Sequence, residues 1–306
     1  MRIVIVGPGA MGCLFAGLLT ESGQTDVWLL DKTKARSDKI NENGITIEGI
    51  GGKRILKIKA TSLPNEIEYA DLILICVKSY DTFDAVRSIA QIVKDDSIIL
   101  TLQNGLTNID VISNAINRGK IIAGVTSYGA TMLGVGHIKH AGSGDTVIGK
   151  ISPNLSDQEV NQIANIFKSA RISISITDNI KSFIWGKLII NASINPITAI
   201  TKLKNGELLK YKETRELLKM VAEESVKIAI ASGIILPYNN PVIAVESVCE
   251  MTAENVSSML QDVLNHKRTE IDAINGAIIE KGRELNIDTS INKVLTYLVK
   301  AIELSS

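Results

Sequence analysis

Four consecutive β-branched residues at the start of the chain, Ile3-Val4-Ile5-Val6, run directly into Gly7-Pro8-Gly9-Ala10-Met11-Gly12, and no other feature constrains the fold as much. A short apolar run without polar alternation suits a central parallel strand buried on both faces. The stretch Ala10–Ser22, closed by Gly23, reads as a helix with a glycine stop. Between the two, Gly7 permits a tight turn, Gly9 opens the backbone to a pyrophosphate, and Gly12 lets the helix approach the strand. An anion there meets unpaired N–H groups at the positive end of the helix. Gly7, Pro8, Gly9, Ala10, Met11 and Gly12 are therefore expected to hold a dinucleotide, with a ligand-free glycine turn as the plainer alternative.

A second apolar run, Val27–Leu30, ends at Asp31, 19 residues beyond Gly12. A carboxylate at that distance is placed to accept hydrogen bonds from an adenosine ribose, which favours NADH over NADPH. A 2′-phosphate about 4 Å from an uncompensated carboxylate is opposed by roughly 4 kcal/mol per charge pair at an effective dielectric near 20. Lys32, Lys34 and Arg36 stand close by, where they can swing toward such a phosphate and restore NADPH binding.

Strand and helix patterns then alternate: Leu72–Val77, Thr82–Ile92, Ser97–Thr101, Asn108–Ile116 and Ile121–Val125. This is the pattern of a doubly wound α/β sheet, in which ligands gather beyond the carboxyl ends of the strands. Lys78 and Asn104-Gly105 follow two such strands, so each is either a site residue or an ordinary loop lysine or turn. From Ser127 to Lys150 short glycine-punctuated pieces read as antiparallel strands added to the same sheet. A helix over Asp157–Lys168 and a strand over Ile172–Ile176 complete a Rossmann-type dinucleotide-binding domain at residues 1–177. Helical periodicity runs from there to the end, so residues 178–306 are expected to form an all-helical substrate domain.

Within that half, the segment from Ser182 to Pro196 is apolar nearly all round. Its polar residues Lys187, Asn191 and Asn195 are four apart and stack on one helix face. Burying a charge and two amides without partners costs several kcal/mol, about 2–7 for each neutral group, so the stripe should meet ligand, water or polar partners. Asn205-Gly206-Glu207, Ser258 and Glu270 are further polar candidates, though spacing alone reads them as helix-surface polarity. Twelve residues separate Ser258 from Glu270, so both can serve one small site only if the chain bends between them or the site lies at an oblique angle.

Composition narrows the function classes. Lys+Arg (33) equals Asp+Glu (33), so no global field draws the protein to nucleic acid or an anionic membrane. The three cysteines lie far apart, and His137 and His140 read as surface or turn histidines, so no metal site is expected. A strand beginning at Ile3 leaves no room for a secretory leader, and no uninterrupted apolar run reaches about 20 residues, so a cytoplasmic location is expected. A homodimer is left open.

These segments, from Gly7 to about Gly276, closely resemble the ketopantoate reductase family. The glycine motif is shared with many dehydrogenases, whereas the segments around Lys187–Pro196, Asn205–Glu207, Glu254–Asp262 and Thr269–Asp272 are far more specific. The resemblance implies reduction of 2-dehydropantoate to (R)-pantoate with NADPH or NADH, a step of pantothenate and coenzyme A biosynthesis. It implies Lys187 as proton donor and Asn191, Asn195, Asn205 and Ser258 as substrate ligands. It puts Lys78, Asn104, Ala130 and Glu270 at the cofactor. Members preferring NADPH commonly carry a basic residue near position 31, against which Asp31 stands out. The rival readings are a dehydrogenase for another branched 2-keto or 3-hydroxy acid, and a non-catalytic NAD(H)-binding redox sensor.

Overall fold

The computed structural model describes residues 1–24 and 26–305. Two compact units emerge, residues 1–103 with 108–180 and residues 104–107 with 181–306. Residues 104–107, which a division at 177/178 leaves in the N-terminal domain, thus group with the helical unit.

The first unit contains β1 (Ile3–Val6), α1 (Ala10–Glu21), β2 (Val27–Leu30), α2 (Lys34–Asn43), β3 (Ile45–Gly49), β4 (Arg54–Leu56), β5 (Lys59–Thr61) and β6 (Ala70–Ile75). It continues through α3 (Thr82–Ile89), β7 (Val93–Thr101), α4 (Asn108–Ala115), β8 (Lys120–Thr126), β9 (Gly129–Gly134), β10 (His137–Gly142), β11 (Thr146–Lys150), α5 (Asp157–Ser169) and β12 (Ile174–Ile176). The main sheet has the order β12-β11-β8-β7-β6-β1-β2-β5. It is parallel except where β11 pairs antiparallel with β8.

The β-branched run of β1 explains its central place. Ile3 and Ile5 enter the core on one face of the sheet, and Val4 and Val6 enter the core on the other. β6 divides in the same way, with Leu72 and Leu74 opposite Ile73 and Ile75. Each such side chain contributes about 1.5–3 kcal/mol on burial. Because β1 has β2 on one side and β6 on the other, the strand order reverses there, and the glycine loop leaves the sheet at this switch point.

Two expectations are corrected. Of the strands in 127–150, only β11 joins the main sheet; β9 and β10 belong to a second sheet of order β4-β3-β10-β9. The cause is β3, whose residues Thr46–Gly49 pair in parallel register with His137–His140 of β10, the buried Ile47 opposite the buried Ile138. Gly17 of α1 allows this sheet to lie close, since a Cβ there would come 2.3 Å from Ile47 Cδ1. His140, expected at the surface, is buried and stacks on Tyr128. Burial first, then the Arg54 charge, lowers its pKa. His137 is half-buried and pairs with Glu48 at 3.0 Å.

The second unit is built on α6 (Ile180–Thr201), followed by a short 3₁₀ turn (Asn205–Leu209), α7 (Lys212–Ala231), α8 (Pro241–Met251), α9 (Ser258–Leu264), α10 (Ile271–Leu285) and α11 (Ser290–Ser305). By length and composition α6 passes for a membrane span, but most of it is buried within the protein. Its Leu188, Ile189, Ala192, Ile194 and Ile197 form the heart of the unit's hydrophobic core.

Candidate active site

The three glycines after β1 answer to different constraints. Gly7 has φ +96°, and a Cβ there would lie 2.6 Å from Val77 Cγ1; one at Gly12 would lie 2.1 Å from the Gly7 carbonyl oxygen. Both glycines are required by the fold itself. A Cβ at Gly9, by contrast, meets no protein atom within 4 Å, and Gly9 has an ordinary extended backbone at the N-cap of α1. The first turn of α1 carries no acidic side chain, so its N–H groups face no competing carboxylate of their own helix. The Cys13 thiol donates to the Pro8 carbonyl at 3.4 Å and steadies the turn. Its pKa is pushed up to about 12, chiefly by burial.

Asp31 closes β2 with its side chain 1% exposed. Oδ1 accepts the Thr33 N–H at 3.0 Å and an N–H of the Arg36 guanidinium. Oδ2 has no hydrogen-bond partner. The assumption of an uncompensated carboxylate is therefore corrected, because Arg36 offsets the charge that was to repel a 2′-phosphate. The neighbouring cations are also engaged, Lys32 with Asp81 at 2.9 Å and Lys34 with Asp38 at 2.8 Å.

Lys78 is half-buried just beyond β6 and opens a 3₁₀ turn at Ser79–Asp81. Ala130, on β9, pairs with His140 and packs on the core beside α1. Asn104 belongs to the segment that groups with the helical unit. Its neighbour Gly105 has φ +95°, and a Cβ there would stand 2.6 Å from the Ala273 carbonyl of α10. Backbone conformation and close approach both demand glycine at this turn.

On α6, Lys187 and Asn191 are half-buried, and Asn195, one turn further on, is 6% exposed. Burial is the main influence on Lys187 and takes its pKa down to about 8, while the Glu270 carboxylate acts in the opposite direction. Glu270, 7% exposed, is the N-cap residue of α10. Asn205 is buried with Nδ2 donating to Thr252 Oγ1 at 2.8 Å, and its Oδ1 is an acceptor without a partner. The backbone N–H groups of Asn205 and Gly206 bond to Asn255 and Ala253, each at 3.1 Å, fastening this turn to the α8–α9 loop.

Ser258 is the exposed first residue of α9. The serine before it is the anchored one: Ser257 Oγ lies 2.6 Å from Thr198 Oγ1 of α6 and accepts the Leu260 N–H. Residues 265–270 turn the chain between α9 and α10, with His266 at φ +51°. The residues singled out from sequence thus fall into two groups. Gly7–Gly12, Asp31, Lys78 and Ala130 lie on the α/β unit, while Lys187, Asn191, Asn195, Asn205, Ser258, Glu270 and Asn104 lie on the helical one. Sequence reading passed over Ser257, Thr198 and the buried amide Asn275; only an unusual polarity inside apolar helices marks the last two. No group of three or more potential metal ligands occurs among the described residues.

A Rossmann-like α/β unit with a glycine loop at its strand-order reversal, succeeded by an all-helical unit, defines the class of protein. The N-terminal model of the family described as ketopantoate reductase PanE/ApbA matches residues 3–153, and its C-terminal model matches residues 179–303. Two relatives named 2-dehydropantoate 2-reductase, from Pyrococcus abyssi and Archaeoglobus fulgidus, are 38% and 34% identical to this chain, covering 99% of it and 98% of their own lengths. A ketopantoate reductase of Ralstonia eutropha superposes with TM-score 0.91 at 32% identity, over 100% of this chain and 99% of its own. D-mandelate dehydrogenase in complex with NADH and anilino(oxo)acetate superposes with TM-score 0.94 at 29% identity, with the same coverage. The chain belongs to the ketopantoate reductase family.

Proposed function

We propose that this protein reduces the ketone of 2-dehydropantoate to the hydroxyl of (R)-pantoate, using a nicotinamide dinucleotide. The observation that carries this reading is Lys187, a half-buried ammonium with its pKa brought down to about 8, on the helix face it shares with Asn191 and Asn195. A ketone receiving hydride gathers negative charge on oxygen, and a donor must stabilise and then protonate it. An ammonium of that pKa is protonated at neutral pH yet gives its proton up readily. Its charge also attracts the carboxylate of a keto acid. Asn191 and Asn195 supply amides to orient the substrate, and the unpartnered Oδ1 of Asn205 is an acceptor suited to a substrate hydroxyl. Such positioning converts an encounter into a near-attack geometry.

The dinucleotide, when bound, supplies the hydride. What supports its place at Gly7–Gly12 is Gly9, a glycine that nothing in the surrounding protein requires. We assign Lys78, Asn104, Ala130 and Glu270 as further cofactor contacts and Ser258 as a substrate contact, by family likeness. At the adenosine end, Asp31 keeps Oδ2 unpartnered while Oδ1 holds Arg36, so Oδ2 suits a ribose hydroxyl, and the nearby cations already have carboxylate partners. NADH is thus expected to serve at least comparably with NADPH.

A second reading keeps the chemistry and changes the acid, and the likeness to D-mandelate dehydrogenase favours it. Steady-state oxidation of NADH and NADPH with ketopantoate, benzoylformate and two smaller branched 2-keto acids decides between the two. Ketopantoate is expected to give the highest kcat/KM; a preference for benzoylformate would assign the protein to the second reading. NADPH selectivity of a hundredfold or more would refute the role given to Asp31.

A further inference from the structure

Pro196 removes one hydrogen bond from within α6. Its nitrogen carries no hydrogen, so the carbonyl of Ala192, four residues earlier, lacks the donor that an interior helical carbonyl receives. Ala192 is fully buried, which leaves no bulk water to make up the loss. The missing donor comes from another helix. Asn275 of α10 places Nδ2 3.0 Å from the Ala192 oxygen.

The same Nδ2 gives its second hydrogen to Asn292 Oδ1 of α11 at 2.9 Å. Two acceptors around one nitrogen settle the orientation of the amide, since its oxygen in that place would face two oxygens. Asn292 is held in turn. Its Nδ2 donates to Glu224 Oε1 at 2.7 Å and to Ser225 Oγ at 3.3 Å, which leaves its Oδ1 to accept. Glu224 of α7 anchors the chain by also accepting the backbone N–H groups of Asn292 and Ile291 at 2.8 and 3.0 Å. Asn275, Asn292 and Ser225 are fully buried, and Glu224 nearly so. Donors therefore diverge from Asn275, whose Nδ2 serves the Ala192 carbonyl on one side and Asn292 Oδ1 on the other, while Asn292 Nδ2 donates on to the Glu224 carboxyl group. Asn275 keeps its place although its own Oδ1 is buried without a partner, a cost that an apolar residue of the same size does not carry.

We infer that Asn275 is a positioning residue: its amide replaces the helix hydrogen bond deleted by Pro196, and so sets the direction in which α6 presents Asn191 and Asn195. Asn292 and Glu224 fix the polarity of that amide. The inference rests on the reading of the α6 stripe as the keto-acid site, and it concerns how that stripe is held.

The test is a double-mutant cycle on the full-length enzyme, with kinetics measured well below each variant's melting transition. Asn275→Ala is expected to lower kcat/KM for ketopantoate about tenfold or more, mainly through KM for the keto acid, with KM for NADH changed less than about twofold. Pro196→Ala alone is expected to stay within about threefold of wild type, because its new N–H competes for a carbonyl already served. Combining the two lets the backbone N–H restored by Pro196→Ala bond to the Ala192 carbonyl, and kcat/KM is expected to return to within about threefold of Pro196→Ala. An uncompromised Asn275→Ala enzyme, or a double variant no better than Asn275→Ala, would overturn the inference. If Asn275→Ala does not fold, Asn275→Leu, of nearly the same size but without a donor for the Ala192 carbonyl, replaces it in the same cycle, and Pro196→Ala should rescue it likewise. If wild-type enzyme reduces no keto acid, the substrate reading fails separately. The same four proteins then report through melting temperature, where additive effects would sink the positioning role and compensation would sustain it.

Discussion

Lys187 is asked to supply both a charge and a proton. A positioned acid contributes a factor of about 100 to 10,000 in rate, so Lys187→Ala should lose at least the lower figure in kcat for ketopantoate reduction. Lys187→Arg should recover little, because a guanidinium holds its proton too tightly to donate it. Single-turnover measurement separates chemistry from product release, and a folded alanine variant retaining more than about a tenth of wild-type kcat would exclude Lys187 as the acid. The pKa of about 8 fixes the sign of the pH dependence. Reduction needs the ammonium, so its rate should be flat below about 8 and fall above it; oxidation of pantoate needs the free amine and should rise through the same value. That limb should vanish from the Lys187→Ala profile, and its persistence would show that another group titrates. Gly9 makes a complementary case. Since a side chain there meets nothing in the protein, Gly9→Val should melt as wild type does while dinucleotide affinity falls, and calorimetry showing undiminished affinity would remove the glycine loop from the site.

At the scale of elements, legibility in the sequence followed the density of apolar pattern. β1 and β2 are written as unbroken apolar runs, and α6 as a helix apolar nearly all round, because each is buried on most of its surface. α2 carries no such signal, because it buries only Ser37 and Ile40 and has no apolar stripe to display. β3 is equally hard to read, and with it the second sheet, since a strand of five residues shows its partner only once both are folded. The polar stripe of α6 could be found from spacing alone, whereas the support behind it could not. Glu224, Asn275 and Asn292 are scattered over three helices, and no local rule connects a proline on a fourth to them. At the start of α1, the effect of its free N–H groups is testable by charge. Ala10→Asp places a carboxylate in a first turn that has none. It should stabilise the helix by about 0.3–1 kcal/mol and yet weaken NADH binding by direct repulsion of the pyrophosphate, whereas unchanged NADH affinity in titration would argue against an anion at that terminus.

Over the whole molecule, cores stand on both faces of the main sheet and a separate one fills the helical unit. Heat should therefore unfold the protein in more than one step, with a calorimetric enthalpy larger than the van't Hoff value. ADP-ribose, which carries the pyrophosphate and adenosine ribose but no nicotinamide, should move chiefly the transition of the α/β unit, by about 2.7 kcal/mol at a hundred times its Kd. A single transition shifted as a whole would show that the two cores melt together. Residues 104–107 bear on the timing of assembly during synthesis. Gly105 lies against Ala273, a residue that emerges from the ribosome about 170 positions later, or roughly 10 to 30 seconds at ordinary translation speeds. The sheet around β7 can form in that interval, but the turn carrying Asn104 has yet to meet the helix it rests on. The turn carrying Asn104 is thus completed only with the last third of the chain, long after the glycine loop at its start has been made.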